Sequence, residues 1–181
     1  DITYTINIGR VETFPEGASS FYGLAEQESG LIIDIGGLSI DTSLFTTGSK
    51  LEKYSTYRIG IMPLYRSIAN TIGSRYSITL DEWGVEDVIR DGLYIEGEKK
   101  DLGIDNIVYS YVEQIKQALG FDYNIPAIKN IYLTGGGSEF LFDYIRKSIP
   151  RIKLMDNSQF TNVLAYRLLG EVLFNEESQG F

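Results

Sequence analysis

Strand-like and helix-like segments interleave along the chain, as the spacing of its hydrophobic positions indicates. Alternating positions and short apolar runs predict strands over residues 3–14, 31–35, 39–46, 51–59, 128–134 and 151–155. Apolar positions at helical spacing predict helices over residues 18–27, 61–76, 81–90, 104–119, 138–148 and 160–174. Strands that alternate with helices predict an α/β fold, and three consecutive strands between 31 and 59 make the sheet mixed rather than purely parallel.

Local sequence signals predict the two ends of one helix, one charged loop and a frayed tail. Asp81 is expected to cap the helix that begins beside it, because its carboxylate can accept a hydrogen bond from the N–H group of Gly84. Gly92 is expected to end that helix. The charged residues 96–100 are expected to form a solvated loop, and the residues after Asn175 a frayed tail.

The composition excludes several classes of chemistry. The 181-residue chain contains no cysteine and no histidine. A disulfide framework, a Cys/His zinc site, a thiol nucleophile and a Ser-His-Asp triad are therefore excluded. Its hydrophobic content of 43% is ample for the core of one domain. Carboxylates, hydroxyls, basic side chains, backbone amides or a borrowed metal are left to carry any chemistry.

Net charge and hydropathy bear on partners and location. The formal charge of −9 argues against a broad contact with duplex DNA or an anionic membrane. No apolar run reaches the roughly 18 residues of a transmembrane helix, and the first residues lack the basic start and apolar core of a signal peptide. We therefore expect a cytoplasmic protein that binds neither nucleic acid nor membrane directly.

Asp34 lies at the end of a buried apolar run and is followed closely by two glycines. Gly36 and Gly37 permit a tight turn whose successive N–H groups can bind an anion. The carboxylate of Asp34 would suit the hydrated Mg²⁺ that accompanies a nucleotide. An ordinary Gly-Gly hairpin with a surface aspartate is the alternative for this motif, and Asp41 would then be a strand-end residue.

A second glycine-rich turn follows the predicted strand that ends at Thr134. The glycines 135–137 lead into a helix, so a helix N-terminus lies at the carboxyl end of a strand, where α/β folds bind ligands. The dinucleotide fingerprint G-x-G-x-x-G fails at Phe140, although Asp156 lies at a suitable distance for the ribose of a dinucleotide. A P-loop is excluded, because no G-x-x-x-x-G-K-[ST] motif occurs. A tightly packed strand–helix connection is the structural alternative.

Two further polar segments carry candidate residues. Glu16 lies at a predicted helix start, where the helix dipole favours a carboxylate. Near a γ-phosphate the same carboxylate could orient or deprotonate an attacking water. Residues 156–165 form a polar turn into the last helix, where Asn157, Ser158 or Thr161 would cap the helix or approach a ribose or base.

Taken together, the two glycine turns resemble the paired nucleotide motifs of the actin, sugar-kinase and heat-shock-chaperone ATPase superfamily. Within it, the chain is most similar to bacterial actin-like plasmid-segregation ATPases of the ParM type. The stretches that carry this likeness are 14–18, 33–37, 76–81, 133–137 and 156–163. The resemblance covers nearly the whole chain and implies a ribonuclease-H-like mixed sheet with flanking helices and a small helical lobe.

The resemblance also implies a division of the chain. Residues 1–15 would be the last strand of a mostly absent first domain, residues 16–60 and 104–181 the ribonuclease-H-like core of the second domain, and residues 61–103 a small helical subdomain. The superfamily's first phosphate motif, an Asp-x-Gly turn, is missing from residues 1–15. We therefore expect the second domain of a longer ATPase, with weak or no ATP hydrolysis by this chain alone.

The family's phosphate and metal sites map onto the first glycine turn. By this resemblance, Gly36, Gly37 and Leu38 would give backbone N–H groups to the β- and γ-phosphates of ATP or GTP. Asp34 would hold Mg²⁺ through water. Glu16 would take the place of the residue that positions the attacking water.

The family's adenosine site maps mainly onto the second glycine turn. The residues that would surround adenosine are Gly60, Arg90, Gly135, Gly136, Gly137 and Ser138. The glycines of the turn would pass under the ribose and adenine, Gly60 would lie near the ribose, and Arg90 would flank the base. A surface arginine without a ligand is the alternative for Arg90.

The implied parent protein is a cytoskeletal ATPase. It would associate with itself into filaments when ATP is bound, destabilise them on hydrolysis, and push plasmids apart through a DNA-binding adaptor protein. Two other classes fit the same residues: half of a sugar- or acetate-kinase-like phosphotransferase, and a non-catalytic interaction domain in which both glycine turns are structural. Phosphoryl transfer to a small molecule would favour the first class. Loss of any effect of nucleotide on the melting temperature of the complete protein would favour the second.

Overall fold

A mixed five-stranded sheet organises the chain. The computed structural model describes residues 4–5, 8–9, 11–24, 29–47 and 49–175. The strands are β1 (Gly30–Ile35), β2 (Ile40–Thr46), β3 (Lys50–Tyr57), β4 (Leu93–Ile95), β5 (Glu98–Lys100), β6 (Ile131–Thr134) and β7 (Ile152–Leu154). The α-helices are α1 (Ile61–Tyr76), α2 (Glu82–Asp91), α3 (Asp105–Asp122), α4 (Ser138–Ser148) and α5 (Thr161–Asn175). Short 3₁₀ helices span Ser19–Gly23, Ile125–Ala127 and Ser158–Phe160.

The strand order in the sheet is β3-β2-β1-β6-β7. The first three strands form an antiparallel meander, whereas β6 runs parallel to both β1 and β7. Asp34 on β1 is paired with Thr134 on β6 and with Asp41 on β2. Because parallel neighbours end at the same edge of a sheet, the loops that follow β1 and β6 emerge side by side.

Both faces of β1 are buried, which explains its uninterrupted apolar sequence. On one face, Leu31, Ile33 and Ile35 join the main core with helices α1, α3 and α4. On the other face, Ile32 packs in a smaller cluster under the 3₁₀ helix Ser19–Gly23. In that cluster Phe21 and Phe45 stack with ring centroids 3.9 Å apart. The strand that carries Asp34 is thus packed on both faces.

Most predicted elements occur in the structure, and the α/β fold with a mixed sheet is confirmed. Helices α1 and α4 have the predicted bounds. The predicted cap is also present, because the Asp81 carboxylate accepts a hydrogen bond of 2.7 Å from Gly84 N–H. Gly92 ends α2 with φ of +91°, a conformation that favours glycine.

Three local predictions need correction. Residues 4–5, 8–9 and 11–14 form no strand, because no partner strand pairs with them and an isolated strand is unstable in water. In the segment 18–27 the helix is only the short Ser19–Gly23, and residues 25–28 lie outside the described part of the chain. The predicted charged loop 96–100 is instead part of the β4–β5 hairpin, where positive φ at its two turn residues matches the twist of the strands.

The predicted frayed tail, residues 176–181, lies outside the described residues. Across the described ranges, none of the helices combines the length and the hydropathy needed to cross a membrane.

Candidate functional site

The two glycine-rich turns lie against each other at the carboxyl edge of the sheet. Gly137 N–H donates to the carbonyl oxygen of Ile35 at 3.1 Å. Gly135 has φ of +91°, and a Cβ built on it would lie only 2.3 Å from Asp34 Oδ1. A side chain at position 135 would therefore collide with the Asp34 carboxylate and with the backbone of Ile35, which explains the glycine there.

Asp34 is a buried carboxylate, with a relative exposure of 5%. Burial raises its pKa from 3.8 to about 6; the hydrogen bond from Asn162 lowers it, while the charges of Glu16 and Asp41 add to the rise. Among the described residues, no basic side chain pairs with Asp34, and no group of three or more carboxylates could hold a metal unaided. A carboxylate in this position would be stabilised by a bound cation.

Asn162, on the first turn of α5, links Asp34 to the segment that precedes the sheet. Its Nδ2 donates to Asp34 Oδ2 at 2.6 Å. Its Oδ1 accepts hydrogen bonds from the N–H of Gly17 at 3.1 Å and from the hydroxyls of Ser19 and Ser20 at 3.0 and 2.7 Å. These partners fix which way the amide points, since only the nitrogen can donate to a carboxylate and only the oxygen can accept from N–H.

Asp41 is a second buried carboxylate beside Asp34, with three hydroxyl donors. Ser39 Oγ, Tyr54 Oη and Thr56 Oγ1 donate to it at 3.0, 2.8 and 2.5 Å. Three hydroxyl groups satisfy the oxygens of Asp41, whereas the only donor to Asp34 among the described residues is Asn162. Of the two acids, Asp34 is therefore the one with free acceptor capacity for a ligand.

The first glycine turn offers two free N–H groups. Gly36 N–H donates to the carbonyl oxygen of Ser39 at 2.9 Å and thereby closes the turn. Within the described residues the N–H groups of Gly37 and Leu38 have no partner, and both residues are exposed. Two adjacent free donors are suited to an anion.

Gly60 packs the start of α1 onto this turn. Its N–H donates to Leu38 O at 3.2 Å, and a Cβ on it would lie 2.3 Å from Gly37 O. The next two residues also donate to the turn, Ile61 to Gly36 O and Met62 to Gly37 O. Position 60 requires glycine for backbone packing, whether or not a ribose lies nearby.

The second glycine turn combines a packed part and an open part. Ser138 is fully buried, and its hydroxyl donates to Gly135 O at 2.6 Å, so it fixes the turn. A Cβ on Gly137 would lie 2.7 Å from a methyl carbon of Ile35. Gly136 differs, because it is exposed and a Cβ there would meet nothing within 4 Å. Gly136 is thus the member of the turn that a ligand can approach.

Glu16 and Arg90 differ in their relation to Asp34. Glu16 is exposed and directly precedes Gly17, where a Cβ would lie 3.2 Å from Asp34 Cβ, and its charge adds to the raised pKa of Asp34. Arg90 is exposed on α2, and its guanidinium forms ion pairs with Asp87 at 2.6 Å and Asp91 at 2.9 Å. The structure therefore brings Glu16 to the site and gives Arg90 partners on its own helix.

The main residue that the sequence did not reveal as part of the site is Asn162. The sequence interpretation included it in a polar turn that would cap a helix or approach a ribose. Its partners Gly17 and Asp34 lie 145 and 128 residues away along the chain. The only local signal is a run of polar residues at the start of α5, which is equally typical of an ordinary helix start.

Comparisons with solved structures identify the fold. No family model and no curated protein sequence matches the chain. The archaeal actin homolog Ta0583 in complex with ADP matches 87% of this chain and 56% of its own, with a TM-score of 0.73 and 16% identity. A 15-stranded ParM filament from Clostridium botulinum matches 93% of this chain and 56% of its own, with a TM-score of 0.70 and 20% identity. MreB5 of Spiroplasma citri bound to AMPPNP matches 92% and 61%, with a TM-score of 0.67 and 17% identity.

The chain therefore has the fold of actin-like ATPases, and ParM structures are among those that it resembles. The resemblance inferred from the sequence is confirmed at the level of the fold. The chain spans between 56% and 61% of the length of these three structures.

Proposed function

We propose that this chain is the second domain of a bacterial actin-like, filament-forming ATPase that acts in plasmid partitioning. The observation that carries the proposal is the meeting of two glycine turns at one buried carboxylate, Asp34. The actin-like fold, at just over half the length of the matching structures, supports it. The lobe boundaries inferred from the sequence, with residues 61–103 as the small subdomain, are part of the same proposal.

The nucleotide would be ATP or GTP with Mg²⁺, held in a cleft that a first domain completes. Among the structures compared above, Ta0583 is in complex with ADP and MreB5 is bound to AMPPNP. The free N–H groups of Gly37 and Leu38 would bind phosphate oxygens. Gly36 would keep the turn closed, and the open surface over Gly136 would receive the ribose and base.

Asp34 and Glu16 would have different roles beside the phosphates of the nucleotide. Asp34 would hold hydrated Mg²⁺ through water, which fits a buried acid that lacks a basic partner in the described residues. When bound, Mg²⁺ supplies positive charge that offsets the charge on the phosphates. Glu16 would orient or deprotonate the water that attacks the terminal phosphate. In the proposed site, Arg90 flanks the base only if its ion pairs with Asp87 and Asp91 open.

Nucleotide binding by the purified chain tests the first part of the proposal. We expect Mg-ADP and Mg-ATP to raise its melting temperature, with about 2.7 kcal/mol of stabilisation at a ligand concentration 100 times Kd. Removing Mg²⁺ with EDTA should reduce the rise in melting temperature that the nucleotides cause. If neither nucleotide changes the melting temperature or gives heat in calorimetry even when the chain is joined to its first domain, the interaction-domain alternative is favoured.

A matched pair of glycine substitutions tests where the nucleotide binds. Gly136→Leu should lower nucleotide affinity at least about tenfold, because the new side chain would occupy the proposed ribose and base surface. Gly120→Leu is the control, since Gly120 is also exposed with nothing within 4 Å of a Cβ. Equal affinities for the two variants would exclude the second glycine turn as the adenosine site.

The proposal also includes assembly of the parent protein into filaments. We propose a cytoplasmic protein that associates with itself, and a DNA-binding adaptor that links the filament to plasmid DNA. With the chain joined to its first domain, Mg-ATP should raise light scattering, and the signal should decay as ATP is hydrolysed. Transfer of phosphate to a sugar or acetate, without any scattering change, would support the phosphotransferase alternative.

A further inference from the structure

The side chain of Asn162 is fully engaged on two sides. One side donates to the carboxylate of Asp34 at 2.6 Å. The other accepts from Gly17 N–H at 3.1 Å and from the hydroxyls of Ser19 and Ser20. Gly17 immediately follows Glu16 in the sequence. A single planar amide therefore joins the acid proposed to hold the metal to the segment that carries the acid proposed to position water.

The packing around this amide leaves little freedom for the segment. Gly17 has φ of +77°, and a Cβ on it would lie 3.2 Å from Asp34 Cβ. Ser20 is fully buried, and its hydroxyl lies 3.2 Å from Thr161 Oγ1 as well as 2.7 Å from Asn162. The turn before the sheet thus rests directly on the start of α5, and Asn162 fixes their relative position.

We propose that Asn162 is a positioning residue through which the state of Asp34 controls the placement of Glu16. When a ligand on the far side of Asp34 holds its carboxylate in place, the amide of Asn162 stays aligned and its oxygen holds Gly17 and the serines. When Asp34 is released, the amide loses its anchor on one side and the segment from Glu16 to Ser20 loosens. Glu16 is exposed and has no such anchor of its own in the described residues.

The proposal rests on the proposed function for the roles of Asp34 and Glu16, but the coupling itself can be measured without nucleotide. The readout is amide hydrogen exchange at Gly17, with Leu133 in the buried strand β6 as the reference for global opening. The variants are Asn162→Ala, Asp34→Ala and the double variant. Asn106→Ala, an exposed asparagine on α3, is the matched control.

We expect Asn162→Ala to speed Gly17 exchange about tenfold relative to Leu133, which corresponds to about 1.4 kcal/mol and lies within the range for one hydrogen bond. Asp34→Ala should also speed Gly17 exchange in the wild-type background. In the Asn162→Ala background, Asp34→Ala should add nothing, because the connection is already cut. Asn106→Ala should leave Gly17 unchanged.

Three results would overturn the proposal. Asp34→Ala could act equally in both backgrounds, which would mean that its effect passes through direct contact with Gly17. Asp34→Ala could leave Gly17 exchange unchanged while Asn162 is present. Asn162→Ala could speed Gly17 and Leu133 in equal proportion, which would mean a purely structural role.

A second arm uses Mg-ADP as the probe and separates this proposal from the proposed function. Mg-ADP should slow Gly17 exchange more than ADP with EDTA in the wild-type chain, and this Mg²⁺-dependent difference should vanish in Asn162→Ala at saturating nucleotide. Absence of Mg-ADP binding by the chain joined to its first domain would refute the proposed function, while the nucleotide-free cycle would still decide the coupling. A Mg²⁺-dependent difference that persists in Asn162→Ala would refute the coupling alone.

Discussion

Replacing Asp34 by asparagine should make the chain more stable at neutral pH. The side chains have nearly the same shape, and the Oδ1 of an asparagine at 34 could still accept the hydrogen bond that Asn162 donates. The substitution removes a charge that burial makes unfavourable. A gain in stability from changing a buried polar residue is unusual, because most substitutions at buried positions destabilise.

The magnitude follows from the pKa of Asp34, which is raised from 3.8 to about 6. A folded pKa above the unfolded value means that the folded state binds the proton more tightly. The favourable contribution is therefore present below the unfolded pKa and is lost as the pH rises through about 6. Each pKa unit corresponds to about 1.36 kcal/mol, so the ionised carboxylate costs about 3 kcal/mol at pH 8 and only about 0.5 kcal/mol at pH 4.

Urea unfolding from pH 4 to pH 8 measures this directly, because the free energy of unfolding extrapolates linearly to water. Far-UV circular dichroism is the better signal, since the single tryptophan, Trp83, is 71% exposed and would report unfolding weakly. The difference between Asp34→Asn and the wild-type chain should grow from about 0.5 to about 3 kcal/mol across this range. Asp143→Asn, at an exposed carboxylate on α4, is the control and should change stability by less than about 0.5 kcal/mol.

Two outcomes would refute the reasoning. Asp34→Asn could be no more stable than the wild-type chain at pH 8, or its advantage could be independent of pH. In either case burial would not make the ionised form of Asp34 unfavourable, and its burial would no longer support a bound cation beside it. The same substitution should also remove the Mg²⁺-dependent part of nucleotide binding, a trade of stability for function that is common at active sites.

Three further predictions concern the turns, the core and catalysis. Gly135→Ala should lower the free energy of unfolding in urea by about 3 kcal/mol or more, because position 135 has positive φ and a Cβ there would lie 2.3 Å from Asp34 Oδ1. Gly136→Ala, at the next position, is the control and should be nearly neutral. Equal losses for the two variants would contradict the packing described. Ser43→Ala should raise the free energy of unfolding by about 1 kcal/mol, because within the described residues the buried Ser43 hydroxyl has no hydrogen-bond partner. A lower free energy of unfolding in Ser43→Ala would contradict this prediction. The purified chain should hydrolyse ATP weakly or not at all in a phosphate-release assay, and measurable steady-state turnover would disprove the proposed need for a first domain.

Local pattern was sufficient where an element is determined by its own residues. The period of α1 and the cap at Asp81 depend on neighbours three or four positions apart, and both were predicted correctly. Residues 3–14 show the limit, because alternation predicts a strand only if a partner strand lies beside it. The β4–β5 hairpin was missed because its strands are only three residues long and carry mainly charged or exposed side chains.

Local signals in the sequence identified the two glycine turns, but not the hydrogen bonds that connect them to the rest of the candidate site. The apolar run ending at Asp34 and the Gly-rich turn after Thr134 both carry local signals, and the parallel pairing of their strands brings them together. The hydrogen bonds of Asn162 join residues 128 and 145 positions apart, which no periodicity records. The commitment of Gly36 N–H to Ser39 O likewise depends on the geometry of the folded turn.

Several unfavourable features occur around Asp34, and they support the proposed ligand site over a purely structural hairpin. Asp34 is buried without a basic partner in the described residues, and the glycines at 17 and 135 approach it with positive φ. A purely structural hairpin would have no need of a carboxylate at 34, since burial of an unpaired charge is unfavourable. Sequences depart from local preferences chiefly where function requires it. The coincidence of a buried charge, two close-packed glycines and two free N–H groups near one strand end therefore supports the proposed site for an anion with its metal.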